Sequence, residues 1–184
     1  MSAPSTSTAV ATWTIDKAHS LAEFSVRHMM VSTTRGQFTD VSGSLTIDEA
    51  NLANSSVNAV IAVASITTRD EKRDEHLRSA DFFDAANFPT ITFNSTSVKV
   101  KNDSDLVVTG DLTIHGVTRS VDIKAELNGF NATPWGNRVV GFSGDTEISR
   151  KDFGLEWNVA LETGGMLVGD KVKIHLEVEA SPAQ

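Results

Sequence analysis

The sequence predicts an all-β domain of about eight antiparallel strands, closed as an up-and-down barrel or folded as a sandwich, with one short helix. Three observations carry this. Alternation of period two dominates from Trp13 onward, turn-forming residues separate the alternating runs, and one stretch near residue 70 breaks the period. The length of 184 residues suits a single domain. We expect it to occupy residues 13–180, between a disordered tail at 1–12 and a short C-terminal tail at 181–184.

Trp13 opens the first strand. Phe24, Val26 and His28 then alternate with Glu23, Ser25 and Arg27, so successive side chains fall on opposite faces. The same pattern recurs in Leu106, Val108, Gly110, Leu112 and Ile114, in Val121, Ile123, Ala125 and Leu127, and in Val172, Ile174, Leu176 and Val178. Shorter candidate strands cover residues 36–47, 57–66, 90–100 and 139–148. Turn signals lie at Asn102-Asp103, His115-Gly116, Asn128-Gly129, residues 134–137 and Gly164-Gly165.

The exception to the period begins at Thr68, which stands three residues before Glu71 in the pattern of a capping box and predicts a helix running to about Ser79. Asp70–Arg73 and Asp74–Arg78 have favourable spacing, whereas Asp70–Asp74 and Glu71–Glu75 oppose the helix. Leu77 and Ala80 supply its apolar side, joined by Phe82, Phe83 and Phe88. The segment therefore reads as a polar lid with an apolar underside, ended by Pro89.

Composition excludes several functions. Sixteen Lys and Arg stand against 24 Asp and Glu, with no basic block, so neither nucleic acid nor an anionic membrane surface is an expected partner. The absence of cysteine removes disulfides, thiolate metal sites and thiol catalysis. No run of about 18 apolar residues predicts stable membrane insertion. The segment MSAPSTSTAVAT lacks the basic and apolar regions of a secretory signal, and a cytoplasmic location is the resulting expectation.

The search for catalytic motifs returns near misses. Gly141-Phe142-Ser143-Gly144 lacks the spacing of a nucleophile elbow, and Asp170 occupies the lysine position of an apparent phosphate loop beginning at Gly164. His19, His28, His76, His115 and His175 show no metal-ligand spacing. His19, His115 and His175 read as solvated, His28 as an inward residue beside Phe24 and Val26, and His76 as either a helix-surface or a pocket residue. Trp13, Trp135 and Trp157 read as core or rim packing. Gly43, Ala59 or Ala62, Ser95, Gly110, Ala125 and Gly144 stand on the inward face beside Phe24, Phe38, Phe93 and Phe142. Small mid-strand residues leave space, which favours an elongated apolar cavity over a filled core.

Two blocks resemble the YceI-like family of polyisoprenoid-binding, lipocalin-like bacterial proteins. They are residues 73–84, with Arg73, His76, Leu77, Phe82 and Phe83, and residues 88–93, with Phe88, Pro89 and Phe93. The similarity continues through Phe24-x-Val26-x-His28, Gly36-x-Phe38, residues 110–118, and Ser149-Arg150-Lys151-Asp152-Phe153-Gly154-Leu155. The resemblance implies a lipocalin-like barrel of eight strands with an internal hydrophobic channel and a capping helix. It further implies that the channel holds a polyprenyl phosphate, an isoprenoid quinone or a similar long-chain amphiphile. On that resemblance, Phe24, Val26, His28, Phe38, Ile61, His76, Leu77, Phe82, Phe83, Phe93, Gly110, Leu112 and Phe142 are the expected ligand-binding residues. No cofactor and no metal is expected. Arg150 and Asp152 read as an ion pair of the turn after Ile148, and an edge near Trp135 or the lid offers a place for a homodimer contact.

The resulting expectation is a non-enzymatic lipid carrier or store. An enzyme using His28 and His76 as acid and base in the same cavity is the competing reading, and a stress-response protein with a filled barrel the third. With no ligand-spaced cluster, elemental analysis of the dialysed protein should find no stoichiometric zinc or iron. About one bound metal per chain would promote His28 and His76 to ligands.

Overall fold

The computed structural model describes residues 10–184. Its strands are β1 (Ala11–Ile15), β2 (Leu21–His28), β3 (Ser32–Phe38), β4 (Val41–Ile47), β5 (Ser56–Ala62), β6 (Ile66–Thr67), β7 (Thr90–Val100), β8 (Asp105–Ile114), β9 (Val117–Ala132), β10 (Arg138–Ser149) and β11 (Val168–Pro182). Among the described residues the one α-helix, α1 (Glu71–Arg78), lies between β6 and β7. All strand pairings are antiparallel. The first strand begins at Ala11 and the last reaches Pro182, so both expected tails contribute ladder residues; residues 1–9 of the N-terminal tail lie outside the described residues.

Eleven segments make an eight-stranded barrel because three long strands are each broken once. β1 pairs with Ala180 to Pro182 of β11, while β2 pairs with the earlier part of the same strand, from Val168 to Glu177. β3 and β4 in turn pair with β2 and β1, and β6 and β5 with β3 and β4. From β7 to β11 each strand pairs with the next, and β1 on β11 closes the ring. Closure leaves no long free edge to template pairing with another chain.

Local chemistry fixes the breaks. Asp16 accepts from the Ala18 N–H at 2.8 Å and caps the 3-10 turn Lys17–His19 between β1 and β2. Gly43 has φ +139°, and a Cβ there would collide with the Asn58 carbonyl of β5. It serves a close strand approach and opens no interior space, contrary to the sequence expectation. Ser95 likewise spends its hydroxyl on structure, accepting from the Val57 N–H at 2.8 Å beside a register shift between β7 and β8.

One end of the barrel is closed by packing. Trp13, Ile47, Val140 and Ala180 are at most 1% exposed. The Phe130 ring lies 5.7 Å from Trp13, and the Arg138 guanidinium sits over both rings while bonding bidentately to Glu49. At the other end α1 folds over β6. Among the described residues no helix is long and apolar enough to cross a membrane.

The helix is anchored differently from the capping box that its sequence suggests. Arg69 adopts left-handed φ of +62°, so the helix starts later and Asp70 is the N-cap, accepting from the Arg73 N–H at 3.1 Å. Thr68 is buried instead. Its N–H and hydroxyl both donate to Asp74 Oδ1, at 2.8 and 2.5 Å, and its hydroxyl accepts from Arg73 Nε at 2.7 Å. Arg78 forms no pair with Asp74 and donates to the Ala64 and Ile66 carbonyls. These bonds use the helix's charged residues to fasten it to β6.

Two variants separate cap from anchor. Asp70→Ala should cost about 1 kcal/mol and speed amide exchange within residues 71–78 alone. Thr68→Ala strips a partner from both buried Asp74 and Arg73, at about 1–3 kcal/mol, and should speed exchange across 66–88. Exchange by mass spectrometry, with urea unfolding alongside, checks both; identical exchange patterns would mean that Thr68 is not the anchor.

Candidate functional site

The barrel encloses a cavity of about 430 Å³, within the roughly 300–1,000 Å³ common for small-molecule sites. Its lining runs from Ile15, Ile47 and Val178 near the packed end to His28, Leu167 and Val168 under the lid, and is overwhelmingly apolar. It persists because β9 and β11 turn Val121, Ile123, Ala125, Val172, Ile174 and Leu176 inward. These side chains are too short to meet across the barrel. They therefore stay only partly buried although they face the interior.

Phe24, Val26, His28, Phe38, Ile61, His76, Leu77, Phe82, Phe83, Phe93, Leu112 and Phe142 all line this cavity. Gly110 does not. A Cβ there would lie 2.5 Å from Phe93 Cζ and 2.6 Å from the Asn94 carbonyl oxygen, so the glycine seats the Phe93 ring against β8. Of the other small residues read as inward, Ala59, Ala125 and Gly144 line the space, and Ala62 does not.

An aromatic cluster forms the lid end. Phe38 lies 5.7 Å from Phe24 and 5.6 Å from Phe83, while Trp157 lies 4.7 Å from His76 and 5.3 Å from Phe82. Trp157 belongs to the site although its sequence position, in a loop without periodicity, gives no sign of it. Arg150 holds that loop. Its Nη1 donates to the Leu155 and Trp157 carbonyls at 2.6 and 2.9 Å, its Nε to Gly169 at 2.9 Å and its Nη2 to Val168 at 3.5 Å. The expected surface pair with Asp152 is absent: Arg150 is 4% exposed and its nearest carboxylate is Asp170, at 3.7 Å. Burial pushes the Arg150 guanidinium below its usual pKa, and Asp170 opposes that shift.

The histidines divide. His28 and His76 both face the cavity but share no hydrogen bond; His76 Nε2 meets Asp81 Oδ2 at 2.8 Å, and Asp74 is engaged by Thr68. The pairing of His28 with His76 or Asp74 that the enzyme reading requires is not assembled there. His175 bonds Asp145 and Glu177 on the outer face, and those carboxylates raise its pKa. His19 lies 2.9 Å from Asp16 and 3.9 Å from Glu179, and its pKa is raised, chiefly by the hydrogen bond to Asp16. These three donor groups form the one cluster of metal-ligand type among the described residues, brought together by the β1–β11 pairing and outside the cavity lining. His115 occupies a turn with φ +53°, its ring against Phe88 at 4.8 Å.

Beside the lid end, exposed Met29, Met30 and Val31 occupy the β2–β3 hairpin, near exposed Val159 and Met166. Met29 and Met30 take φ of +50° and +60°, a left-handed pair usually built from Asn and Gly.

Residues 13–180 match the family model described as the YceI-like domain. Protein YceI of Escherichia coli strain UMN026 is 43% identical over 152 residues, covering 82% of this chain and 79% of that protein. Among solved structures, Burkholderia cenocepacia BcnA aligns with a TM-score of 0.76 at 27% identity, covering 90% of this chain and 98% of BcnA. A domain from Saccharophagus degradans described as polyisoprenoid binding has a TM-score of 0.71 at 18% identity, covering 95% of this chain and all of the domain, and shares the fold. The chain belongs to the YceI-like family.

Proposed function

We propose that this protein carries or sequesters an isoprenoid or similar long-chain amphiphile in its barrel and catalyses no reaction on it. The observation that carries this is the continuous apolar cavity, which spans the barrel from Ile15 to His28 and in which His28 and His76 share no hydrogen bond. An extended hydrocarbon chain fits such a space. Its burial would supply about 25 cal/mol per Å² of apolar area, reduced by the ordering of the chain. The description of the S. degradans domain as polyisoprenoid binding supports the same class of ligand.

Native mass spectrometry of protein purified from its own host should reveal a co-purified lipid that leaves on collisional activation. Ala125 is the sharpest internal control, since it lines the cavity on β9 and a larger side chain there projects into open space. Ala125→Phe should weaken binding of a fluorescent isoprenoid by about tenfold or more while circular dichroism stays unchanged. Undiminished affinity in a well-folded variant would place the ligand elsewhere.

A further inference from the structure

The lid end carries an exposed apolar surface that the barrel itself does not use. Met29, Met30 and Val31 form the tip of the β2–β3 hairpin, with Met30 64% and Val31 79% exposed, and exposed Val159 and Met166 stand beside them. The two groups make one patch. The Met29 N–H donates to the Leu167 carbonyl at 2.8 Å, the Leu167 N–H to the Val159 carbonyl at 2.9 Å, and Ala160 forms a bridge with Met166. The Met30 sulfur lies over Gly165, where a Cβ would collide with it, so the hairpin tip is seated on the 159–166 loop.

Folding alone does not account for these methionines. The Val31 N–H closes the turn on the His28 carbonyl at 3.2 Å, which leaves Met29 and Met30 at its two central positions with φ of +50° and +60°. Asn-Gly is the pair that this conformation favours, because a larger side chain crowds the backbone there. Methionine bears that crowding and stays exposed. The residue choice at the tip therefore runs against local stability, as it does where a surface serves binding.

Size, charge and position say what covers the patch. Its five side chains expose about 500 Å², short of the roughly 800 Å² per partner that a stable protein interface buries. Arg27 and Glu162 are the only Lys, Arg, Asp or Glu in residues 27–31 and 159–166. The Arg27 guanidinium donates to the Met30 carbonyl at 3.1 Å and to the Thr33 hydroxyl at 3.2 Å, and among the described residues it has no carboxylate within ion-pair distance. One cation and one anion beside an apolar tip match a zwitterionic head-group layer over hydrocarbon, whereas a strongly anionic surface would repel a chain of net charge −8. The cavity lining reaches the base of both segments, through Arg27, His28, Leu167 and Val168.

We infer that this patch docks the protein on a zwitterionic lipid bilayer with its lid end against the membrane, so that a ligand passes between bilayer and cavity without crossing water. The transfer step rests on the carrier reading; the docking rests on the patch.

Flotation with large phosphatidylcholine vesicles tests the docking, and transfer of the anthraniloyl ester of geranylgeraniol from loaded protein to the same vesicles tests its use. The variant M29N/M30G supplies the pair that the turn favours and should fold at least as stably as the wild type. It should nonetheless bind the vesicles about tenfold more weakly, keep its affinity for the ester and deliver it about tenfold more slowly. Wild-type delivery should accelerate in proportion to vesicle concentration, as transfer by collision requires. Equal flotation or equal delivery by the folded variant, binding that appears only when phosphatidylglycerol is added, or a wild-type dimer in sedimentation that the variant abolishes would overturn the inference. Methionine-dependent flotation without uptake of the ester would defeat the carrier reading while the docking stands.

Discussion

Closure of the backbone ladder is the constraint on which the rest of this structure depends. Each strand from β7 to β11 pairs with its neighbours, and the broken strands at the start of the chain complete the ring on β11. Backbone polar groups are thereby satisfied around the circumference without help from the interior. A sheet packed on a second layer must fill its core to stay together. A closed barrel can leave part of its interior open, and here the most completely buried side chains are Trp13, Ile47, Val63, Ile66, Val140 and Phe153.

That division assigns different work to the two ends. Around Trp13, Phe130 and Arg138 the side chains pack against one another, and the space is closed. Under α1 hydrogen bonds of charged side chains set the geometry. Thr68, Arg73 and Asp74 tie the helix to the end of β6, while Arg150 gathers four carbonyls to shape the loop carrying Trp157. Both devices rely on charged groups bonded to partly buried polar atoms. Losing one partner is therefore costlier than a surface ion pair would be.

Much of the barrel was legible in the sequence, because inward and outward residues alternate wherever one face is apolar, as in Leu106 to Ile114 and Val121 to Leu127. The same alternation puts Phe24, Val26 and His28 on the inward face of β2, and with Phe38 and Phe93 they line the cavity. The misreadings share a cause: local pattern does not reveal long-range contact. Thr68 has the spacing of a cap but is drawn inward by Asp74, and Gly110 has the position of a gap but lies under the Phe93 ring. Arg150 has an acid two residues away and turns instead to carbonyls brought near by β11. Trp157 and the Asp16–His19–Glu179 cluster depend on loop geometry and on pairing between chain ends, neither of which leaves a periodic trace.

The central claim is that the ligand lies inside the barrel. Methyl NMR of the protein with added geranylgeraniol tests it most directly, through intermolecular nuclear Overhauser effects. The account predicts contacts to the methyl groups of Ile123, Ala125, Ile174 and Leu176, which face the interior midway along β9 and β11. Contacts confined to Met29, Met30, Val31 and Met166, on the outer surface beside the lid, would contradict it.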